Sequence, residues 1–487
     1  MAAESWPVAL PLIVLVGGAV IAFLAGRALG ARGGDAAGIV AIVAFALSFA
    51  AVLPLGDAGG TLAYAPFGEA ALLADGLAVF LALVATGLGL AVAAYSLVSM
   101  RGERGRAHYT ALLLLMVAGL VGLGFAGDLF NLYVFFELMA ISSYALVAFH
   151  RERGEAIEAG MKYIVMSGAG SLLALLGIGV LYAGAGQLDI AAIRVAGVPS
   201  ALALPAVGLL IAGFGVKAAI VPMHTWLPDA HSAAPSGISA MLSGVVIQGG
   251  LLAMVRALSV FGGGAAPFSY GLLLAFLAVL TMTIGNLLAM HQQDLKRLLA
   301  YSSIAQMGYI LLGFGIGIEY GIAIAFVGAL FHILSHALMK GGAFLAAGIL
   351  QQAYGTRDLA GLRGAGRRVP AASLPFAVFA LGLVGVPPTA GFLSKLLLAT
   401  GAAEAGTTGA FFVVALIGNS VLSLAYYVPV LTGLFAREGT SPAVRPSPGS
   451  AVPVVGLAAL VLLFGVWPDL VLGFVNAAAG SLGFGGP

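Results

Sequence analysis

The chain contains no cysteine in 487 residues, which excludes disulfides, thiolate-held iron–sulfur clusters and thiol catalysis. Charge is also scarce. Asp, Glu, Lys and Arg make up 8% of the residues, where a soluble domain carries about 25%. The seven histidines are scattered and form no HExxH pair, so no metal site is expected. No strand–GxGxxG–helix unit is present, and nothing resembles a site for NADH, quinone, haem or nucleotide, so no cofactor is expected. The first apolar run, from about Trp6 to Gly30, has spanning length and lacks a basic leader, so no cleavable signal is expected. The net charge of +2 gives no reason to expect nucleic acid among the partners.

What fills the chain instead is apolar surface: 61% of residues are hydrophobic and the mean hydropathy is +1.10. Apolar runs of about 18 residues or more indicate bilayer-crossing helices rather than a barrel. The hydropathy pattern predicts an all-α integral membrane protein with about fourteen spans. They fall near 7–30, 38–55, 70–98, 109–126, 129–149, 161–184, 203–226, 234–260, 267–290, 298–316, 320–350, 373–401, 409–436 and 451–477. No connecting loop is long enough for a second domain, so residues 1–487 are read as one polytopic domain. Arg32, Arg101, Arg104, Arg106, Arg151, Arg153, Lys162, Lys296, Arg297, Arg357, Arg363, Arg367, Arg368, Arg437 and Arg445 all fall on one side. Asp57, Glu69, Asp128, Asp189, Glu319 and Glu404 fall on the other, with Arg194. Basic loops stay in the cytoplasm, so both termini are expected outside it.

A few charges remain inside the spans. Glu137 lies near the middle of the fifth, about 14 Å from its Asp128 end. A carboxylate at that depth costs about 2.5–3.5 kcal/mol and needs a partner, a proton or water. Lys217, Lys340 and Lys395 also fall inside spans, whereas Asp75 is close enough to a span end to be solvated. Lys217 is the natural partner for Glu137. In Phe331-His332-Ile333-Leu334-Ser335-His336-Ala337-Leu338-Met339-Lys340, the residues His332, His336 and Lys340 recur at i, i+4 and i+8 and share one helical face. Three ionisable groups stacked this way in a span read as a proton chain. The segment from His224 to His231 admits two readings, a helix end anchored by an interfacial Trp226 or a place where protons are taken up.

Two of the lysines sit in echoing pentapeptides, Gly213-Phe214-Gly215-Val216-Lys217 and Gly391-Phe392-Leu393-Ser394-Lys395. They are an odd number of spans apart, so the copies point opposite ways across the membrane. This is the pattern of two inverted five-helix repeats, spans 4–8 (about 109–260) and 9–13 (about 267–436). Pro222, and Pro387 with Pro388, predict that spans 7 and 12 are broken helices, whose freed carbonyls mark polar cavities.

These motifs resemble a known family: Phe136-Glu137, the GFxxK of span 7, HxWLPDAH followed by Ala234-Pro235-Ser236, HxxxHxxxK in span 11 and GxPPxxGFxxK in span 12. They are similar to the proton-conducting, antiporter-like subunits of respiratory complex I (chains N, M and L), of Mrp-type sodium/proton antiporters and of membrane-bound hydrogenases. The likeness runs over the whole chain. It implies that Glu137 and Lys217 form a modulating ion pair, that His332, His336 and Lys340 are the central relay, and that Lys395 is the terminal lysine. Lysine at the last position resembles the Mrp D-type subunit more than chain M, where glutamate is expected. The family usually places lysine or histidine where this chain has Gln248, which orders water but does not titrate.

The expected function is a proton-translocating subunit of a multisubunit complex in a prokaryotic cell membrane. Protons would pass from Glu137 and Lys217 through water at Gln248 to His332, His336, Lys340 and Lys395, with sodium coupling left open. Its partners would be other membrane subunits, the lipid bilayer, protons and conceivably sodium, with no catalytic chemistry of its own. Two rival readings are a stand-alone sodium/proton exchanger and a scaffold subunit that has lost conduction at Gln248.

Overall fold

The computed structural model describes residues 6–58, 60–63, 71–262, 268–439 and 447–484. Glu69 and Arg445, used above for orientation, lie outside the described residues, as does the side chain of Asp57. The membrane helices are α1 (Leu10–Ala28), α2 (Gly33–Val52), α3 (Gly76–Ser99), α4 (Arg106–Phe125), α5 (Leu129–Val147), α6 (Gly154–Ala185) and α7 (Ser200–Lys217). After the short α8 (Leu227–Ala233) come α9 (Ser236–Phe261), α10 (Tyr270–Ala289), α11 (Leu295–Tyr320), α12 (Ala323–Tyr354) and α13 (Pro370–Val384). The chain closes with α14 (Ala390–Glu404), α15 (Gly406–Leu434), α16 (Pro448–Val466) and α17 (Asp469–Gly480). Among the described residues, 13 helices are long and apolar enough to span a membrane. The broken pair α13–α14 supplies one further crossing, in agreement with the hydropathy pattern.

Helices dominate because hydrocarbon offers no partner for an unpaired backbone group. Their ends are closed by side chains: Asp75 accepts from the Ala78 amide, Asp128 from Phe130 and Asn131, Asp294 from Lys296 and Arg297, and Thr389 from Phe392. α9 is wholly buried and α11 nearly so, whereas α1, α2, α6, α15 and α16 bury only a third or so of their apolar length. The first two thus form the centre of the bundle and the others face outward.

The repeat is visible in the geometry. α6 and α12 are each 32 residues long and end at glycines in the left-handed region, Gly186 and Gly355. Asp128 bridges Asp189 as Asp294 bridges Asp358. These matched bridges close opposite ends of the bundle, because α5 is the fifth span and α11 the tenth. Both lysine-bearing spans are broken as Pro222, Pro387 and Pro388 require, but on different sides of the lysine. α7 ends at Lys217, with Ala219 at φ +54°, whereas α13 ends at Val384, before Lys395, with Gly385 at φ +98°. The Val221–Pro222 and Pro387–Pro388 peptides are cis.

Two expectations need correction. The third span does not begin near residue 70: Gly60–Ala63 and Ala71–Ala74 pair as a small antiparallel hairpin, and α3 starts at Gly76. Asp75 is no solvated end, because it caps α3 and holds Arg256 of α9 at 2.8 Å. Arg256 went unremarked in the sequence because it lies close to a span boundary, where a charge ordinarily reaches water.

Candidate functional site

Lys217 is fully buried at the last residue of α7. Its Nζ donates to Tyr163 Oη at 2.7 Å and Ser143 Oγ at 3.2 Å, and it lies 4.8 Å and 4.5 Å from the ring centroids of Tyr144 and Tyr163. The ammonium is thus held by phenol and serine oxygens and two aromatic faces. Glu137, half-buried on α5, accepts a hydrogen bond from Ser171 of α6. Among the described residues no ion pair joins Glu137 to Lys217 directly; each is instead held by hydroxyls of its own, Ser171 for the carboxylate and Ser143 with Tyr163 for the ammonium.

Trp226 is not an interfacial anchor. It is fully buried, stacks on Tyr163 at 4.0 Å and donates Nε1–H to the Val216 carbonyl at 2.8 Å. That carbonyl also accepts from the Ala219 amide at 3.1 Å, so the indole adds a second donor at the turn that follows Lys217. Asp229, in α8 beyond it, binds Lys162 at 3.0 Å and Arg297 at 2.6 Å. Burial raises its carboxyl, but hydrogen bonds from the two cations outweigh that and leave it below the usual carboxylate range.

The second half of the site is centred on α12. Gln248 of α9 donates Nε2–H to the Ile333 carbonyl at 3.2 Å and lies 2.7 Å from His336 Nδ1. The His336 and His332 rings stack with centroids 6.2 Å apart. His332 Nε2 is 2.9 Å from Gln306 Oε1 on α11, and its Nδ1 is 2.8 Å from Ser394 Oγ on α14. Gln306 Nε2 reaches the Leu383 carbonyl at 3.3 Å. Lys395 Nζ donates to the same carbonyl at 2.8 Å, to Val384 at 3.0 Å and to Ser420 at 3.1 Å. With no ion-pair partner among the described residues, Lys395 caps the C-terminal carbonyls of α13, where the helix dipole favours a cation. Lys340 points to the Leu299 carbonyl at 2.8 Å and Tyr427 Oη at 3.3 Å.

From Gln248 to Lys395 the groups therefore touch in sequence, with one imidazole-to-imidazole step. α9 also packs on α7 at Gly250, two residues beyond Gln248, where an added Cβ would lie 2.9 Å from Lys217 Cβ. Among the buried polar atoms without a protein partner are four in this region: Gln248 Oε1, His336 Nε2 and both ring nitrogens of His231. His231, on α8, stacks on Phe344 at 4.7 Å and lies within electrostatic reach of Lys296 and Lys340. Unpaired buried polar atoms in a cluster of this kind call for water.

Of the residues singled out from sequence, Gln248, His336, His332 and Lys395 fall in this row, whereas Glu137, Lys217 and Lys340 have hydrogen-bond partners outside it, and several members of the row were not singled out. Gln306 and Ser394 are uncharged, and only three-dimensional proximity gives them a role. Lys296 was counted as a loop charge, yet it is buried and donates to the Ala234 carbonyl at 2.6 Å. Lys296 also lines a cavity of about 360 Å³ with Glu103, His150, Arg153, Gln352 and Arg357, on the basic side of the bundle.

The family model described as NADH:quinone oxidoreductase/Mrp antiporter, transmembrane, matches residues 126–423. The chain is 35% identical to NADH-quinone oxidoreductase subunit N of Desulforudis audaxviator, over 82% of each chain. It is 33% identical to F(420)H(2) dehydrogenase subunit N of Methanosarcina mazei, over 94% of this chain and 95% of that one. Its fold is similar to a chain of the archaeal membrane-bound sulfane sulfur reductase (TM-score 0.87, 30% identity, 98% of each chain). It is also similar to a chain of the Mrp complex from Dietzia (0.87, 25%, 99% and 98%) and to one of respiratory complex I from Thermus thermophilus (0.79, 29%, 98% and 100%).

Proposed function

Because the chain belongs to the NADH:quinone oxidoreductase/Mrp antiporter family of membrane subunits, we propose that it translocates protons as one subunit of a multisubunit complex in a prokaryotic cell membrane. The observation that carries this reading is the set of buried ionisable groups Lys217, His336, His332, Lys340 and Lys395 inside the bundle, of which His336 is held by Gln248, and His332 and Lys395 are joined through Gln306 and the Leu383 carbonyl. Burying that many charges for stability alone is unfavourable, since each costs several kcal/mol to desolvate. A row of groups that exchange protons gives them a use.

In this reading the Glu137 carboxylate biases Lys217 electrostatically. When that bias weakens, Lys217 gives up its proton toward Gln248-associated water and His336. The proton then moves to His332 and on toward Lys395, which the end of α13 holds as a cation. Water in the basic-side cavity supplies protons through Lys296 and His231, the uptake reading of the 224–231 segment. The basic loops face the cytoplasm and both termini lie outside it. Residues 1–487 act as one membrane domain, with repeats over about 109–260 and 267–436. Other membrane subunits and an ion gradient or redox reaction supply the energy.

The test is Lys217→Ala in the intact complex, reconstituted into vesicles and driven by its own substrate or gradient. The relay predicts a large loss of proton translocation. Unchanged translocation would leave the scaffold reading standing, and full exchange by the isolated chain would favour the stand-alone exchanger.

A further inference from the structure

The relay histidines have unlike neighbours, and the difference fixes where their protons sit. The Ile333 carbonyl only accepts, so the Gln248 amide must turn its NH₂ toward Ile333 and, with the same group, toward His336 Nδ1. His336 Nδ1 is therefore an acceptor, and neutral His336 carries its proton on Nε2. For His332, the Leu383 carbonyl takes the Gln306 NH₂, so Gln306 Oε1 faces His332 Nε2 and accepts from it. Neutral His332 is likewise protonated on Nε2, and Ser394 donates into its Nδ1.

The two differ in what a second proton requires. Ser394 Oγ also lies 2.9 Å from the Gly391 carbonyl. If its hydroxyl hydrogen swings to that carbonyl, Oγ is free to accept from a protonated Nδ1. His332 can thus gain one proton at Nδ1 while Ser394 keeps its own, and no heavy atom moves. At His336 the same gain places an N–H against an N–H. It requires the Gln248 amide to reverse, which turns its oxygen toward His336 Nδ1 and the Ile333 carbonyl and forfeits the bond to Ile333.

We propose that Gln248, Gln306 and Ser394 are positioning residues that set the histidine tautomers, and that reversal of the Gln248 amide gates proton loading of His336 while His332 loads without any amide reversal. The inference rests on the proton-relay reading above. In this role the glutamine is a gate rather than a gap in the relay: it holds His336 neutral until the amide turns.

The experiment is ¹⁵N-histidine solid-state NMR on the intact complex in lipid, with each ring assigned by the signal lost in His336→Asn and in His332→Asn. Both rings are expected to show a bare Nδ1 and a protonated Nε2. In Gln248→Leu the His336 signal is expected to split into both tautomers while His332 stays unchanged. Ser394→Ala is expected to lower proton translocation at least tenfold with the His332 neutral tautomer intact, and Ser394→Thr to restore it. A proton on Nδ1 of His336 in the unmodified complex, or an unchanged His336 spectrum in Gln248→Leu, overturns the proposal. If Lys217→Ala leaves translocation intact while the tautomers are as described, the relay fails and the hydrogen-bond assignment stands; if Lys217 is essential and His336 bears Nδ1–H, the gate alone fails.

Discussion

Replacing Gln306 by methionine keeps the length of the side chain and removes its polar end. Two hydrogen bonds are lost, His332 Nε2–H to Oε1 at 2.9 Å and Nε2–H to the Leu383 carbonyl at 3.3 Å. The Leu383 carbonyl keeps Lys395 as a donor at 2.8 Å, so the stranded group is the His332 N–H, fully buried on α12. A buried donor left without a partner costs about 1–3 kcal/mol. Since about 1.4 kcal/mol is tenfold in rate, a step that uses the His332–Gln306 contact should slow by about 5- to 150-fold. The assay is proton uptake into vesicles holding the intact complex, driven by its own reaction, with assembly checked by co-purification of the partner subunits. Gln306→Met complexes that assemble fully and translocate protons at the unmodified rate would refute the assignment of Gln306 to the relay.

Other perturbations follow from the same contacts. Tyr163→Phe removes the shorter of the two hydrogen bonds to Lys217 but leaves the stack on Trp226; translocation should fall several-fold, and thermal unfolding should report a loss of about 1 kcal/mol. Trp226→Ala empties a fully buried site and removes one of the two donors to the Val216 carbonyl; a destabilisation of about 3–5 kcal/mol should appear as poor yield and loss of assembled complex on size-exclusion chromatography. Asp229→Asn removes the tie among α6, α8 and α11. Because the folded carboxyl is depressed, its contribution of about 0.5–1 kcal/mol is present above the ordinary carboxylate pKa of about 4. It is lost as pH falls through the folded value, so melting curves of the Asn variant and the unmodified protein should differ at pH 7 and converge in acid. A density map of the intact complex sharp enough to show water should place ordered molecules against both His231 nitrogens, Gln248 Oε1 and His336 Nε2, and dry packing there would contradict the hydrated link.

The sequence exposed the fold almost entirely, because lipid permits few alternatives: hydropathy marks spanning helices and buried prolines mark their breaks. Most charged members of the candidate site were legible too, since a lysine or glutamate within a span has few bland explanations. Its neutral members were not. Gln306 and Ser394 gain their roles by facing His332 from α11 and α14, and Tyr163 by facing Lys217 from α6, pairings that no local pattern encodes. Trp226 was misread for a related reason. A tryptophan near a span end is ordinarily an anchor, but the break after Lys217 folds the chain back so that the indole fills the interior. Lys296 was hidden in the same way, as a basic residue beside a loop whose side chain turns inward to the Ala234 carbonyl.

The most direct measurement is the number of protons translocated per turnover by the intact complex when the row is cut between its two imidazoles, in His336→Leu with His332→Leu. A relay through these groups predicts that the driving reaction continues while this subunit's share of the protons disappears. An unchanged proton count, with the complex fully assembled, would contradict it.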